Sequence, residues 1–277
     1  MRKSFLLLGT VALLAAALIA APAAVMAGGK SITITGSTTV LPIAQKAAED
    51  FMKKHPDVRI SVAGTGSGDG IKAVIDGTAD IGDASREMKK KEIKLAKSKG
   101  ITPKQFVVAL DCIVPVVHPS NKVSDLTLAQ LKKIYTGDIK NWKEVGGADL
   151  KIVAVSRDSS SGTFEVWNKK VLGKKVRVRP DAQLQASNGA VAQAVAGNKN
   201  AIGYVGIGYV NDKLKALKVG GVMASAKTAM DKSYPIARGL NMYTRGEPKG
   251  AVKQFIDFVL SPEGQKIVVE EGFVSLK

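Results

Sequence analysis

Residues 31–86 read SITITGSTTVLPIAQKAAEDFMKKHPDVRISVAGTGSGDGIKAVIDGTADIGDASR. Ser31–Thr35 alternates isoleucine with polar residues, the period of a strand. Gly36-Ser37-Thr38-Thr39 follows; Val40, Ala44, Ala47, Ala48 and Phe51 then recur on one helical face until His55-Pro56 closes the segment. Val58–Ala63 is a second strand, running into the glycine-rich turn Gly64–Gly70 and a short helix through Ile75. Ala79–Gly82 is a third strand, ending at Asp83-Ala84-Ser85-Arg86. Strand, Gly/Ser/Thr turn and helix, repeated, predict an α/β fold with a largely parallel sheet.

The same rhythm returns further on. Lys151–Ser156 is a strand entering Arg157-Asp158-Ser159-Ser160-Ser161-Gly162-Thr163 and a helix containing Phe164, Val166 and Trp167. Leu128–Tyr135 and Gly189–Ala196 are helical, Ala201–Val205 is a strand, and Ser261-Pro262 is an N-cap followed by proline at the first helical position. Phe106–Val117, broken by Asp111 and Pro115, is too long for one ordinary strand and predicts a passage between two lobes; Tyr234–Thr244 is a second such passage. The expected division is a signal segment over 1–27, a discontinuous first lobe over 28–112 plus 236–277, and a second lobe over 113–235, with a ligand cleft between them.

The first 27 residues carry the marks of export. Arg2 and Lys3 precede the apolar stretch Phe5–Ala21, and Val25-Met26-Ala27 offers small residues at the cleavage position. No cysteine follows, which argues against a lipoprotein. Cleavage after Ala27 lowers the formal charge of +17 by two and places the mature chain in the periplasm.

Composition narrows the chemistry. The 277 residues are 45% hydrophobic, enough for a core. One cysteine and two histidines exclude a Cys/His zinc centre and an internal disulfide framework; no metal or cofactor is expected. Cys112, inside an apolar run, reads as a buried inert thiol. The lysines are not interleaved with aromatics, so the positive charge reads as a solvated surface attracting anions, with no nucleic-acid partner. No catalytic group is expected either: a serine nucleophile needs a base, and His55 and His118 both precede prolines at element ends. There is no GxSxG elbow, Gly64–Gly70 does not fit GxGxxG, and no GxxxxGK[ST] occurs.

The chemistry lies in four turns: Ser37-Thr38-Thr39, Ser67-Gly68, Ser85, and Ser161-Gly162-Thr163. The first amides of a helix have no partner within it, and the helix dipole adds partial positive charge there. Hydroxyls add donors, and Arg157 and Arg86 add forked charge suited to an oxyanion. Each turn alone is an ordinary helix cap; four turns with two arginines and an export signal predict a small-oxyanion site.

These segments, in order, resemble the PstS family, the periplasmic phosphate-binding proteins of phosphate ABC transporters. The resemblance covers residues 30–277 and includes GTGSGDGI (Gly64–Ile71), DIGDASR (Asp80–Arg86), RDSSSGT (Arg157–Thr163), LAQLKKIYTGDIKNWKEVGG (Leu128–Gly147), AIGYV (Ala201–Val205) and FIDFVLSPEGQ (Phe255–Gln265). It implies a two-lobe periplasmic binding protein of type II that holds inorganic phosphate between its lobes and delivers it to ABC permease subunits in the inner membrane. The phosphate contacts it implies are Thr38, Thr39, Ser67, Arg157, Ser161, Gly162 and Thr163, with Ser85 and Arg86 in the remaining contact turn. Better-known members place an aspartate directly after the serine of that turn, where it accepts a proton of the bound phosphate; this chain has Arg86 there. The acceptor is left to Asp69, Asp83 or Asp158, each of which also suits a helix cap or an arginine partner. Asp158 is preferred because it adjoins Arg157 and the Ser161 turn. Other readings are a receptor for sulfate, molybdate or tungstate, a periplasmic sensor partner, and a secreted phosphatase or hydrolase.

Overall fold

The structure is a computed structural model that describes residues 30–173 and 176–276; the expected signal segment lies outside them. In chain order the described residues open with β1 (Lys30–Gly36), α1 (Leu41–Lys54), β2 (Val58–Gly64), α2 (Ser67–Asp76), β3 (Ile81–Ala84) and α3 (Lys90–Ser98). β4 (Lys104–Val117) then leads into β5 (Asp125–Leu126), α4 (Leu128–Thr136), β6 (Val153–Arg157), α5 (Gly162–Trp167), β7 (Gln183–Gln185), α6 (Asn188–Ala196), β8 (Ala201–Gly206), β9 (Lys215–Ala216), β10 (Lys218–Val219) and α7 (Ala226–Met230). β11 (Ala237–Thr244) returns to pair with β3 and β4, and α8 (Gly250–Leu260) and α9 (Pro262–Glu270) follow.

The local reasons are those expected. Ile32 and Ile34 of β1 point inward while Ser31 and Thr33 are exposed. α1 buries Ile43, Ala44, Ala47, Ala48 and Phe51 against that sheet. Gly36 ends β1 at φ 140°, where a Cβ would stand 2.2 Å from the Asp83 carbonyl oxygen, so only glycine can make the turn into Ser37. Ser261 caps α9, accepting from the Gly264 amide at 3.2 Å.

The strands join in the order β2-β1-β3-β11-β4-β8-β6-β7, with β9 also on β4. Within this order the βαβ strands run parallel, β1 with β2 and β3, and β6 with β7 and β8. The sheet is more mixed than expected: β11 is antiparallel to β3 and β4, and β4 to β8. The two passages cause this, because each enters from the opposite lobe and needs no crossover helix beside its neighbour.

Phe106–Val117 belongs to a single fourteen-residue strand after all. β4 reaches that length by serving two sheets. Lys104–Cys112 pairs with β11, and Ile113–Val117 pairs with β8. Two hydrophobic cores lie on either side of that exchange. One gathers Ile32, Ile34, Phe51, Ile81, Leu240, Met242 and Phe255; the other gathers Val114, Leu131, Tyr135, Trp142, Trp167, Ile202 and Tyr204. β3 extends past the expected Gly82 to Ala84, so Asp83 is a sheet residue rather than part of the turn. Among the described residues no helix is long and apolar enough to cross a membrane.

Candidate functional site

The four turns meet where the two cores face one another. Ser37 shapes the turn that leads into α1: its hydroxyl accepts from the Thr39 amide at 3.1 Å and its carbonyl from the Leu41 amide at 3.1 Å. Thr38 and Thr39 sit on that turn, just before α1, and both are buried. Ser67 opens α2; its hydroxyl accepts from the Ser85 amide at 3.0 Å and lies 3.3 Å from the Ser85 hydroxyl. Ser161 caps α5 by accepting from the Phe164 amide at 3.2 Å, which leaves the Gly162 and Thr163 amides at the helix start without a carbonyl one turn back.

The two lobes touch through these turns. Thr39 Oγ1 and Thr163 Oγ1 are 3.0 Å apart, and the Gly68 amide donates to the Ser160 carbonyl at 2.9 Å. At Gly162 a Cβ would fall 2.3 Å from Ser67 Oγ and 2.8 Å from Ser85 Oγ. The glycine is what lets the α5 turn approach the serines of the first lobe. Thr38, Thr39, Ser67, Ser85, Ser161, Gly162 and Thr163 are thus brought to one place.

Arg157, the last residue of β6, is 1% exposed. Its Nε donates to the Gln185 carbonyl at 3.0 Å and its Nη2 to the Ala186 carbonyl at 2.9 Å. Tyr204 braces it from below: the Tyr204 hydroxyl accepts from the Arg157 amide at 3.3 Å and contacts Ser156 Oγ at 2.8 Å, while its ring stacks on Trp167 at 4.2 Å. Arg157 Nη1 is buried with no hydrogen-bond partner. The nearest carboxylate, that of Asp158, is 4.0 Å away. Burial holds the guanidinium pKa below its usual value. A buried cation with a free N–H and no paired carboxylate is costly unless an anion meets it.

Arg86 is used differently from the expectation. Its guanidinium forks onto Glu92 at 2.8 Å twice, reaches Glu165 at 3.1 Å, and donates to the Glu87 carbonyl at 2.9 Å. Lys89 joins Glu165 at 2.6 Å. Glu92 stands on α3 and Glu165 on α5, so Arg86 ties the two lobes together beside the hydroxyl cluster with its charge already balanced.

The three aspartates separate cleanly. Asp69 is exposed. Asp158, the preferred acceptor, spends Oδ1 on the Ser160 amide and hydroxyl, at 2.8 and 2.5 Å, and so shapes its own turn. Asp83 is buried under the Ser37 turn, whose amide bonds its carbonyl at 2.8 Å. Its Oδ1 has no partner, and burial pushes its carboxyl pKa well above the usual carboxylate range.

Two polar groups of the cluster were not foreseen. Arg238, on β11, pairs with Asp111 on β4 at 2.6 Å, and its Nη2 donates to Thr39 Oγ1 at 3.3 Å and Thr163 Oγ1 at 3.1 Å. Asn188, the first residue of α6, donates from Nδ2 to Thr38 Oγ1 and Thr39 Oγ1, both at 3.0 Å. A signal for Arg238 was present. Phe106–Val117 holds one charged residue, Asp111, and Tyr234–Thr244 holds one, Arg238, of opposite sign. A buried charge in one passage demands its partner in the other. Asn188 carried no comparable signal.

The remaining candidates lie apart. His55 stacks on Phe51 at 4.1 Å, and half-buried His118 is bonded to Ser120 at 2.7 Å. Cys112 is free and buried, its thiol pKa pushed up to about 12 by desolvation and the neighbouring Asp111. Among the described residues no group of three or more His, Cys, Asp or Glu is placed to hold a metal. A surface groove of about 420 Å³ beside Leu260, Pro262 and Val269 lies away from the cluster.

The chain is similar to several known proteins. The family model described as a PBP superfamily domain matches residues 21–263. The phosphate-binding protein PstS of Bacillus subtilis is 37% identical over 249 residues, 88% of this chain and 80% of that protein. PstS of Borreliella burgdorferi is 33% identical over 90% of this chain and 91% of its own. A solved Clostridium perfringens structure, described as an ABC transporter substrate-binding protein with bound phosphate, is 41% identical with a TM-score of 0.84, covering 90% of this chain and all of that one. An ABC-type phosphate transport receptor from Vibrio cholerae aligns with a TM-score of 0.73 at 33% identity, over 88% and 99% of the two chains. With most of its length matched at this level, the chain belongs to the PBP superfamily and, within it, to the PstS family.

Proposed function

We propose that this chain is an exported solute-binding protein that captures inorganic phosphate between its lobes and hands it to ABC permease subunits of the inner membrane. The observation that carries the reading is Arg157: a buried guanidinium with a free Nη1 and no closely paired carboxylate, at the end of the strand that leads into the Ser161 turn. Such a site offers donors and positive charge in a desolvated place, which suits a small oxyanion. Thr38, Thr39, Ser67, Ser85, Arg157, Ser161, Gly162 and Thr163 are the proposed contacts, with Arg86 beside them as an interlobe tie. The exchange of β4 partners between Cys112 and Ile113 supports the lobe division 28–112 plus 236–277 and 113–235. The export reading places the mature chain in the periplasm, and intact-mass measurement of envelope protein reads the cleavage site.

The role is binding rather than catalysis. His55 stacks on Phe51 and His118 is bonded to Ser120, so neither histidine serves as a base for the hydroxyls of the proposed contacts. The relatives are named as phosphate-binding proteins and not as enzymes.

Selectivity against sulfate falls to Asp83. One proton must lie between its buried carboxyl and an anion oxygen. Hydrogen phosphate brings that proton, whereas sulfate must take it from Asp83 itself. Above the raised pKa of Asp83, sulfate affinity then falls by up to about tenfold per pH unit, while phosphate does not bear that cost.

Calorimetric titration of phosphate-stripped protein with phosphate, arsenate, sulfate and molybdate tests the proposal. Phosphate and arsenate are expected to bind with one saturable site and sulfate far more weakly. Absence of saturable phosphate binding overturns the function, and a ratio of sulfate to phosphate affinity that does not fall anywhere as pH rises overturns the role of Asp83.

A further inference from the structure

We infer that Asn188 and Arg238 are positioning residues that leave two hydroxyl hydrogens, that of Thr38 and one from the Thr39–Thr163 pair, as donors toward the bound anion. The inference rests on the phosphate reading and adds to it how the hydroxyls are oriented. A threonine hydroxyl has one hydrogen and two lone pairs, and can present either to a ligand. An anion needs the hydrogen.

Asn188 settles this for Thr38 and Thr39. It is fully buried, and its Oδ1 accepts from the Gly206 amide at 3.2 Å. That contact fixes the amide so that Nδ2, a donor only, faces both threonine oxygens at 3.0 Å. Arg238 settles it for Thr39 and Thr163. A guanidinium cannot accept, and its Nη2 reaches the two oxygens at 3.3 and 3.1 Å. Arg238 is itself fixed by Asp111 through Nε at 2.7 Å and by the Ser85 carbonyl through Nη1 at 3.1 Å. Asp111 is anchored in turn by the Ile207 amide at 2.9 Å.

Each of the three hydroxyls thus accepts at least one N–H group, and Thr39 accepts two. The Thr39–Thr163 contact at 3.0 Å uses one hydrogen of that pair. The other hydrogen, and that of Thr38, have no acceptor among the described residues. Both are left for an oxyanion. Arg238 is neutralised by Asp111 at 2.6 Å, so it supplies direction, whereas Arg157 supplies the charge. Because Arg238 touches Thr39 of the first lobe and Thr163 of the second, the donor orientation is completed only when the lobes are together.

A double-mutant cycle distinguishes positioning from general support of the fold. Phosphate affinity is measured by calorimetry for the parent, Asn188→Ala, the pair Thr38→Val/Thr39→Val, and the triple variant. Asn188→Ala is expected to weaken phosphate binding by about tenfold in the parent and less than about twofold where the hydroxyls are gone. An equal loss in both backgrounds, or no loss in the parent, overturns the inference. Asn188→Asp keeps the shape and the bond to Gly206 but replaces the donor with an acceptor. It serves if Asn188→Ala does not fold, with an expected loss of at least about a hundredfold; a loss below about threefold overturns the inference. A parent that does not bind phosphate overturns the functional reading itself, and this inference with it.

Discussion

Replacing Arg157 by alanine should weaken phosphate binding far more than it changes the stability of the free protein. Two of its donors hold the Gln185 and Ala186 carbonyls, and the third nitrogen, Nη1, is buried and unbonded. Hydrogen bonds to charged groups contribute about 1.5–3 kcal/mol each. At about 1.4 kcal/mol per decade, one such bond from Nη1 corresponds to roughly a tenfold to hundredfold loss of affinity, before the lost charge is counted. The effect on folding is mixed. Two carbonyls lose donors, which destabilises, while removal of a buried cation whose nearest carboxylate is 4.0 Å away stabilises. The melting temperature of the ligand-free protein should therefore move little. Titration calorimetry at about 0.15 M and 0.5 M salt, with exposed Arg177→Ala as the control, reads both effects. The control acts only through the surface field and should be erased by salt; the Arg157→Ala loss should persist, because a buried contact is weakly screened. Equal losses for the two variants, or an Arg157→Ala protein within about threefold of the parent, would refute a defined site centred on this arginine.

Three further outcomes are expected. The Asp83 carboxyl is raised by burial, so the folded chain keeps a proton that the unfolded chain releases above about pH 4; Asp83→Asn should raise the melting temperature of the ligand-free protein by an amount that grows with pH from there and levels off above the raised pKa, whereas a gain independent of pH would contradict the assignment. Gly162→Ala puts a methyl 2.3 Å from Ser67 Oγ and should cut phosphate affinity at least about tenfold while holding the lobes apart, seen as a larger radius of gyration by small-angle scattering with phosphate present; an unchanged radius and affinity would show that the turn has room. Glu165→Gln loosens the tie to Arg86 and Lys89 and should speed phosphate release several-fold in stopped flow with little change in association rate, since contacts formed in the closed state act mainly on dissociation; an unchanged release rate would leave that ion pair without a part in closure.

The sequence by itself determined the α/β architecture and singled out most of the groups that the structure gathers at the candidate site. Alternation in Ser31–Thr35 and the apolar face of α1 are consequences of which residues neighbour one another along the chain, so they are legible without tertiary information. The hydroxyl turns and Arg157 were legible for the same reason: helix starts are local, and anion chemistry follows from them. Tertiary structure decided how those groups are used. Arg86 stands next to Ser85 in sequence and reads as a ligand, but folding brings Glu92 and Glu165 to it and consumes its charge. Asp158 reads as the acceptor because it adjoins Arg157, yet its carboxylate closes on Ser160, and it is Asp83, carried inward by the extra length of β3, that is left unbonded. Arg238 and Asn188 sit in a strand and at a helix start, and they reach the threonines only because β11 lies beside β4 and α6 faces the α1 turn. Local pattern is set by adjacent residues, whereas the partner of a buried charge or amide is set by which distant strands and helix ends meet.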